Sequence, residues 1–397
     1  MIIESMTDND LYKFTMLQAV LHQHPGAMVE YEFKCRTEDI DFRAYSDKII
    51  GEVNKMCREL RFTKEELEYL GDLRFMKKDT IQFLKLFRFD YNFVEIITDV
   101  DGELHIRIKG PWLHTILFEV PILSIVSEIY SRDMSENFDE ANRRTQEKID
   151  IINRFYSEEG IPLLWADFGG RRRHSVEAQR NTLVLFKEGC LASRDKTGMV
   201  GTSNVMMAKE QGIKPIGTMA HEWGQAHQAL YRVAESQFMA LENWSKEYRG
   251  DLGIALSDVI GMKYFLHDFD LFFSKLFDGT RQDSGDPYLY GSSMIKHYKN
   301  MGIDPKTKTI VFSDGLDFFK AIVLARTFND AIKVSFGIGT HITNDFDFRA
   351  LQIVLKMISC NGNPVAKISD TPAKGMCTDE GYVDYLQRTF DNRISIG

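Results

Sequence analysis

Hydrophobic positions along the chain fall into two textures, and the change comes near residue 135. In the first part, helical and strand periods alternate irregularly. Leu11, Phe14, Leu17 and Leu21 recur at helical spacing behind Thr7-Asp8-Asn9-Asp10. That predicts a helix opened in the manner of a capping box and stopped by His24-Pro25-Gly26. Val29-Glu30-Tyr31-Glu32-Phe33 alternates apolar and polar residues as a half-buried strand does. A second helix is expected from Thr63-Lys64-Glu65-Glu66, and residues 93–98 and 104–108 flank Asp101-Gly102 as the arms of a hairpin. Residues 1–135 are therefore expected to form a smaller α+β domain.

Beyond it a charged amphipathic helix is predicted from Phe138 to about Tyr156. Short apolar runs come next, each with a polar turn behind it and then, in most cases, a helical pattern. They end at Trp165-Ala166, near Met199-Val200, at Ile216, at Ala255-Leu256, before Thr280, at Val311-Phe312 and at Val334-Ser335-Phe336. Such repetition predicts an α/β fold over 136–350, with a parallel sheet closed or nearly closed into an irregular βα barrel. One more apolar run, 351–358, is expected to carry residues 351–397 back onto the N-terminal domain.

Composition narrows the classes. Of 397 residues, 44% are hydrophobic, which excludes general disorder, and 58 acidic against 49 basic residues give a net charge of −9. A strongly cationic nucleic-acid binder is not expected. Cys35, Cys57, Cys190, Cys360 and Cys377 form no C-x-x-C pair and are expected to be reduced thiols of a cytoplasmic protein. The start, MIIESMTDND, lacks a cationic segment and an apolar core, so no signal peptide is expected. Apolar stretches such as 120–126 are short of the ~20 residues of a membrane span, and no membrane partner is expected.

The chemistry lies in the polar turns behind the apolar runs. These turns are Asp167-Phe168-Gly169-Gly170-Arg171-Arg172-Arg173-His174, Gly201-Thr202-Ser203-Asn204, Gly217-Thr218-Met219-Ala220-His221-Glu222, Ser257-Asp258, Gly279-Thr280-Arg281-Gln282-Asp283-Ser284-Gly285, Ser313-Asp314-Gly315 and Gly337-Ile338-Gly339-Thr340-His341. In a βα barrel all of them share the face that carries active sites. Glycine turns at helix N-termini bind phosphate oxygens, arginines add charge-assisted bonds, and a carboxylate such as Asp283 can hold magnesium together with ligand phosphates. A phosphorylated small molecule is the ligand this inventory implies. No G-x-x-x-x-G-K-[ST] is present, so a P-loop site is not supported. His221-Glu222 resembles the start of H-E-x-x-H. The next histidine, His227, falls off the ligand face of a helix, which disfavours a zinc hydrolase. The role left to His221 is that of a nucleophile or an acid–base group, oriented by Asp258 or Glu222.

These motifs, in this order, together with Thr7-Asp8-Asn9-Asp10-Leu11-Tyr12-Lys13 and Glu32-Phe33-Lys34-Cys35-Arg36, resemble the nicotinate phosphoribosyltransferase family over nearly the whole chain. The resemblance implies ATP-coupled transfer of a phosphoribosyl group from 5-phosphoribosyl-1-pyrophosphate (PRPP) to nicotinate, giving nicotinate mononucleotide, with magnesium accompanying PRPP and ATP. It implies that His221 is transiently phosphorylated and that Asp258 hydrogen-bonds it. Phe168 and Tyr12 are implied to sandwich the pyridine ring, the tyrosine coming from the neighbouring subunit of a homodimer. Arg281 and Thr218 are implied to contact nicotinate. Arg171, Gly315, Gly339 and Thr340 are implied to surround the donor's phosphates, with Asp283 at its ribose or magnesium. No resident metal site is implied. Of the arginine run only Arg171 is placed in the site, with Arg172 and Arg173 left open. The competing readings are a nicotinamide or quinolinate phosphoribosyltransferase, a sugar-phosphate barrel lyase or isomerase, and a non-catalytic nucleotide-binding protein.

Overall fold

The computed structural model describes residues 1–396 apart from 162, 191–197, 372–374, 376 and 378. Two sheets organise it. The first is antiparallel, with the strand Met28–Cys35 between Leu104–Pro111 and Ile353–Cys360, and with Val94–Thr98 outside Leu104–Pro111. The alternation legible at Val29, Tyr31 and Phe33 buries those three residues on one face, as the pleat requires. Tyr31 pairs with Met357 and with Ile108, so the late apolar run does return to the N-terminal sheet.

The second sheet is parallel. Its strands are Leu164–Asp167, Gly198–Thr202, Lys214–Pro215, Ile254–Leu256, Gly279–Gln282, Thr309–Phe312 and Lys333–Ile338. Apart from one break, each hydrogen-bonds to its neighbour in chain order, and Lys333–Ile338 returns to Leu164–Asp167 through Phe336 and Trp165. The sheet thus curls into a barrel with one open seam, between Lys214–Pro215 and Ile254–Leu256. A side chain bridges that seam: the Thr218 hydroxyl donates to the Ile254 carbonyl at 2.9 Å.

The first helix, Leu11–Gln23, lies across the barrel mouth at the seam. Its Leu11 N–H donates to the Ser203 carbonyl at 2.8 Å, and its Thr15 hydroxyl donates to the Thr218 carbonyl at 2.7 Å. The helix begins where the periodicity places it, but the capping box does not form. Asp10 is the N-cap and its side chain caps nothing. Asp8 instead pairs with Arg173, and Asp10 accepts from Ser203 Oγ at 2.6 Å. Tertiary contacts with the barrel outcompete the local cap. At Thr63 the box does form, with Glu66 reciprocating.

Between sheet and barrel runs Glu119–Met134, fixed to the barrel loops by Ser124 Oγ to the Gly170 carbonyl and Ser127 Oγ to the Arg173 carbonyl, both 2.9 Å. The continuous helical stretch Trp112–Met134 is long and apolar enough to cross a membrane by length and composition, which the short apolar run 120–126 does not reveal. It is a core helix here, with 89% of its apolar window inside the protein. Cys35, Cys57, Cys190 and Cys360 are free thiols.

Candidate active site

His221 opens the helix His221–Leu230 directly after the seam strand, and Asp258 and Asp283 lie just past the ends of two other strands. The fold brings the three together. His221 Nε2 lies 2.8 Å from Asp258 Oδ1 and 3.7 Å from Asp283 Oδ2. Asp258 Oδ2 accepts from Ser284 Oγ at 2.6 Å and from the Lys367 ammonium at 2.9 Å. Burial pushes the His221 pKa down to about 4, reinforced by Lys367 and opposed by Asp258. Burial alone would raise the Asp258 carboxyl, but His221, Lys367 and Ser284 hold it well below the usual carboxylate range. A neutral imidazole beside an ionised carboxylate donates from Nε2, which leaves the lone pair on Nδ1. Of the two carboxylates proposed to orient the ring, Asp258 does so. Glu222 is occupied by Lys13 and Tyr31.

Arg281 is fixed on two sides. Its Nε donates to Ser313 Oγ at 2.8 Å and its Nη2 to Asp283 Oδ1 at 3.1 Å. Burial would raise Asp283, yet Arg281 and the neighbouring positive charges bring it well below its ordinary value. The guanidinium carbon stands 5.5 Å from the centre of the Phe168 ring. That ring occupies the space a side chain would fill at position 337. A Cβ there would come within 2.3 Å of Phe168 Cδ2, so Gly337 is what admits the phenyl group.

Arg171 lies against Tyr12, its guanidinium carbon 5.9 Å from the ring centre. It pairs with Glu119 Oε1 at 3.2 Å and with Asp10 Oδ2 at 3.8 Å. Tyr12 also passes Gly217, where a Cβ would meet its amide at 3.1 Å. Tyr12 thus packs beside Arg171 and Gly217 of its own chain. The arginine run divides by environment. Arg173 is fully buried and forms a two-bond pair with Asp8 at 2.7 and 2.8 Å, which makes it scaffold. Arg172 donates to Gln352 Oε1 at 2.6 Å, and burial beside Arg171 lowers its pKa to about 10.

The remaining predicted residues sit on the same rim. Gly315 has φ +55°, a left-handed conformation that favours glycine, and its carbonyl accepts from Lys320. Gly339 packs over the Phe168–Gly169 backbone, and Thr340 begins the turn Thr340–Thr343. Thr218 commits its hydroxyl proton to the seam, so that hydroxyl is left only as an acceptor.

Three residues in contact with this centre are not among those the sequence singles out. Lys367 holds Asp258, Glu119 holds Arg171, and Lys356 lines a narrow cleft with His221, Glu222, Tyr31 and Glu119. Burial lowers the Lys356 pKa to about 8, with Glu119 opposing, and among the described residues no carboxylate lies within 4.0 Å of its ammonium. The available signal was a lone cation inside the apolar run 351–358. His221, Asp258 and Asp283 also offer atoms mutually within 4.8 Å, a spacing that could hold a metal. The Lys367 ammonium on Asp258 opposes a dication at that end, which leaves Asp283 as the carboxylate suited to one.

Two family models match the chain: the nicotinate phosphoribosyltransferase family over residues 163–394, and the N-terminal domain of that family over 7–127. The nicotinate phosphoribosyltransferase of Xylella fastidiosa (strain 9a5c) is 50% identical over 393 residues, covering 98% of both chains. That of Bordetella pertussis (strain Tohama I) is 50% identical over 394 residues, 98% of this chain and 95% of the relative. Among solved structures, the Vibrio cholerae nicotinate phosphoribosyltransferase superposes with a TM-score of 0.93 at 39% identity, covering 98% and 94% of the two chains. The Porphyromonas gingivalis enzyme does so with 0.91 at 32% identity, covering 98% and 100%.

Proposed function

The chain belongs to the nicotinate phosphoribosyltransferase family, and from that premise we propose that it transfers the phosphoribosyl group of PRPP to nicotinate, coupled to ATP through a phosphohistidine on His221. The observation that carries this reading is the His221–Asp258 pair, because it leaves a buried, neutral imidazole with Nδ1 as its nucleophilic atom. Nδ1 attacks the γ-phosphorus of ATP, the bond to the bridging oxygen breaks, and ADP leaves. Asp258 balances the positive charge that develops on the ring. Water later cleaves the N–P bond and releases phosphate.

In the transfer itself the pyridine nitrogen displaces pyrophosphate from the ribose C1 carbon. Arg281 binds the nicotinate carboxylate, and Phe168 and Tyr12 hold the ring on its two faces, which orients the nitrogen toward that carbon. Lys356, Arg171 and the Gly315 and Gly339–Thr340 turns receive phosphate oxygens, and positive charge there stabilises the departing pyrophosphate. Asp283 fits magnesium as a hard oxygen donor working with ligand phosphates, and would hold it. When bound, the ion neutralises phosphate charge. In a homodimer with shared sites, the tyrosine of that sandwich comes from the neighbouring subunit. Free thiols at Cys35, Cys57, Cys190 and Cys360 suit a cytoplasmic enzyme.

The test is a pyrophosphate-release assay with PRPP and nicotinate, nicotinamide or quinolinate, with and without ATP. Release with nicotinate that ATP stimulates supports the reading. Preference for nicotinamide or quinolinate, or indifference to ATP, overturns its substrate or its coupling respectively.

A further inference from the structure

One buried ammonium links the two halves of this site. Lys13 is fully buried, one residue beyond Tyr12 on the helix Leu11–Gln23. It pairs with Glu119 Oε2 at 2.6 Å and with Glu222 Oε1 at 2.8 Å. Each carboxylate has a second duty. Glu119 Oε1 accepts from Arg171, which lies against Tyr12. Glu222 is the residue after His221 in the first helical turn, and its Oε2 accepts from the Tyr31 hydroxyl at 2.7 Å. A continuous buried path therefore runs from Arg171 through Glu119, Lys13 and Glu222 to the helix that starts at His221, with Tyr31 anchoring it to the antiparallel sheet. The cleft beside His221 is walled by Glu119, Glu222 and Tyr31 of this same path.

We propose that Lys13 is a positioning residue that couples the charge on His221 to the seat of Arg171 and Tyr12, by dividing its ion pairing between Glu222 and Glu119. Phosphorylating His221 places a charge of about −1.5 to −2 next to Glu222, in a region where salt does not screen it. The Lys13 ammonium is a compact charge on a flexible stem and responds by strengthening its pairing on the Glu222 side. Glu119 then turns more fully to Arg171, which tightens that side chain against Tyr12. The ATP half-reaction would in this way reach the pocket of the transferred group without a contact between the two substrates. The inference rests on the ATP-coupled reading above.

The experiment measures the KM for PRPP with and without ATP in the unmodified chain, in Glu222→Gln and in Lys13→Met. An ATP-dependent fall in KM in the unmodified chain, reduced by about 5-fold or more in both variants, is the expected result, since ordinary coupling spans roughly 5–150-fold. A merely structural staple would lower stability and all kinetic constants together and leave the ATP ratio unchanged. That outcome overturns the coupling role alone, whereas an unmodified chain indifferent to ATP overturns the ATP reading first. Should both variants fail to fold, amide hydrogen exchange of the unmodified chain decides. Exchange along Leu11–Gln23 should change when ATP phosphorylates the enzyme, and an unchanged profile overturns the inference.

Discussion

His221 and Asp258 meet through a single hydrogen bond of 2.8 Å, and the far oxygen of that carboxylate is held by Lys367 at 2.9 Å. The carboxylate is thus both fixed in place and kept charged, and it selects the imidazole nitrogen that carries the proton. Asp258→Asn keeps the shape but removes the charge and leaves Lys367 unpaired. Loss of a carboxylate in this relation to a catalytic histidine costs about 10⁴ in rate in the serine-protease triad. Phosphoenzyme formation, followed as acid-labile radiolabelled phosphate, should fall by roughly 100-fold or more. Labelling at the original rate would refute the role given to Asp258.

Arg281 should discriminate the ring substituent. Truncating one member of a desolvated charged pair costs about 2–5 kcal/mol, so Arg281→Ala should lower kcat/KM for nicotinate by at least about 30-fold. Arg281→Lys should not restore it, because an ammonium cannot bond Ser313 and Asp283 as a planar fork while lying over Phe168. A lysine variant with ordinary nicotinate kinetics would show that charge alone suffices.

Whether a feature of this site was legible in the sequence depends on the kind of information it needs. Periodicity marks the helix after Asp10, the hairpin at Asp101-Gly102 and the strand-end turns, because those depend on local pattern. The turns point to His221, Asp258, Asp283 and Arg281 as one rim, and the structure joins them: Asp258 and Asp283 both approach the imidazole, and Arg281 donates to Asp283. Pairing across long separations is beyond such a pattern. Lys13 meets Glu222 across 209 positions, and Asp8 meets Arg173 across 165. The capping box at Thr7 fails for the same reason, since its polar residues are partners of the barrel. The open seam is also invisible, because it depends on a missing ladder rather than on any residue type.

The two outer members of the arginine run should behave differently. Arg173 is buried with Asp8 and 3.5 Å from Glu128, so Arg173→Met leaves the buried Asp8 carboxylate without its cation while Glu128 keeps Arg132. Breaking such a pair costs about 3–5 kcal/mol. The variant should lose that much in chemical denaturation while the folded fraction keeps its kinetics. Arg171→Met should instead raise the KM for PRPP with little change in denaturation midpoint. The reverse assignment of the two phenotypes would show that Arg173 is the ligand-facing residue.

If the tyrosine of the pyridine sandwich is supplied in trans, active sites are shared between the chains of a homodimer. Tyr12→Ala and His221→Ala should each be strongly impaired, and mixing the two purified variants should recover part of the activity. Recovery follows because a mixed dimer contains one intact site, and no recovery would show that Tyr12 completes the site of its own chain.

The pH dependence should be set at both ends by buried groups of opposite type. The nucleophilic form of His221 is the neutral ring, and burial holds its pKa at about 4. Protonation that would silence an ordinary histidine below about 6.5 is therefore displaced downward. Phosphoenzyme formation at saturating ATP should be level from pH 7 to about 5.5 and fall only below about 5. At the other end Lys356, at about 8, loses its charge as pH rises through that value. An uncharged amine cannot draw in a phosphate, so kcat/KM for PRPP, which reports the free enzyme, should decline above about 8. Once the anion is bound it stabilises the ammonium and raises its pKa, so kcat should stay level to higher pH. Lys356→Met should lower kcat/KM at neutral pH and erase its alkaline limb. An alkaline limb that survives the substitution assigns it to another group, and an acid limb near 6.5 would mean that the imidazole is not desolvated in the working enzyme.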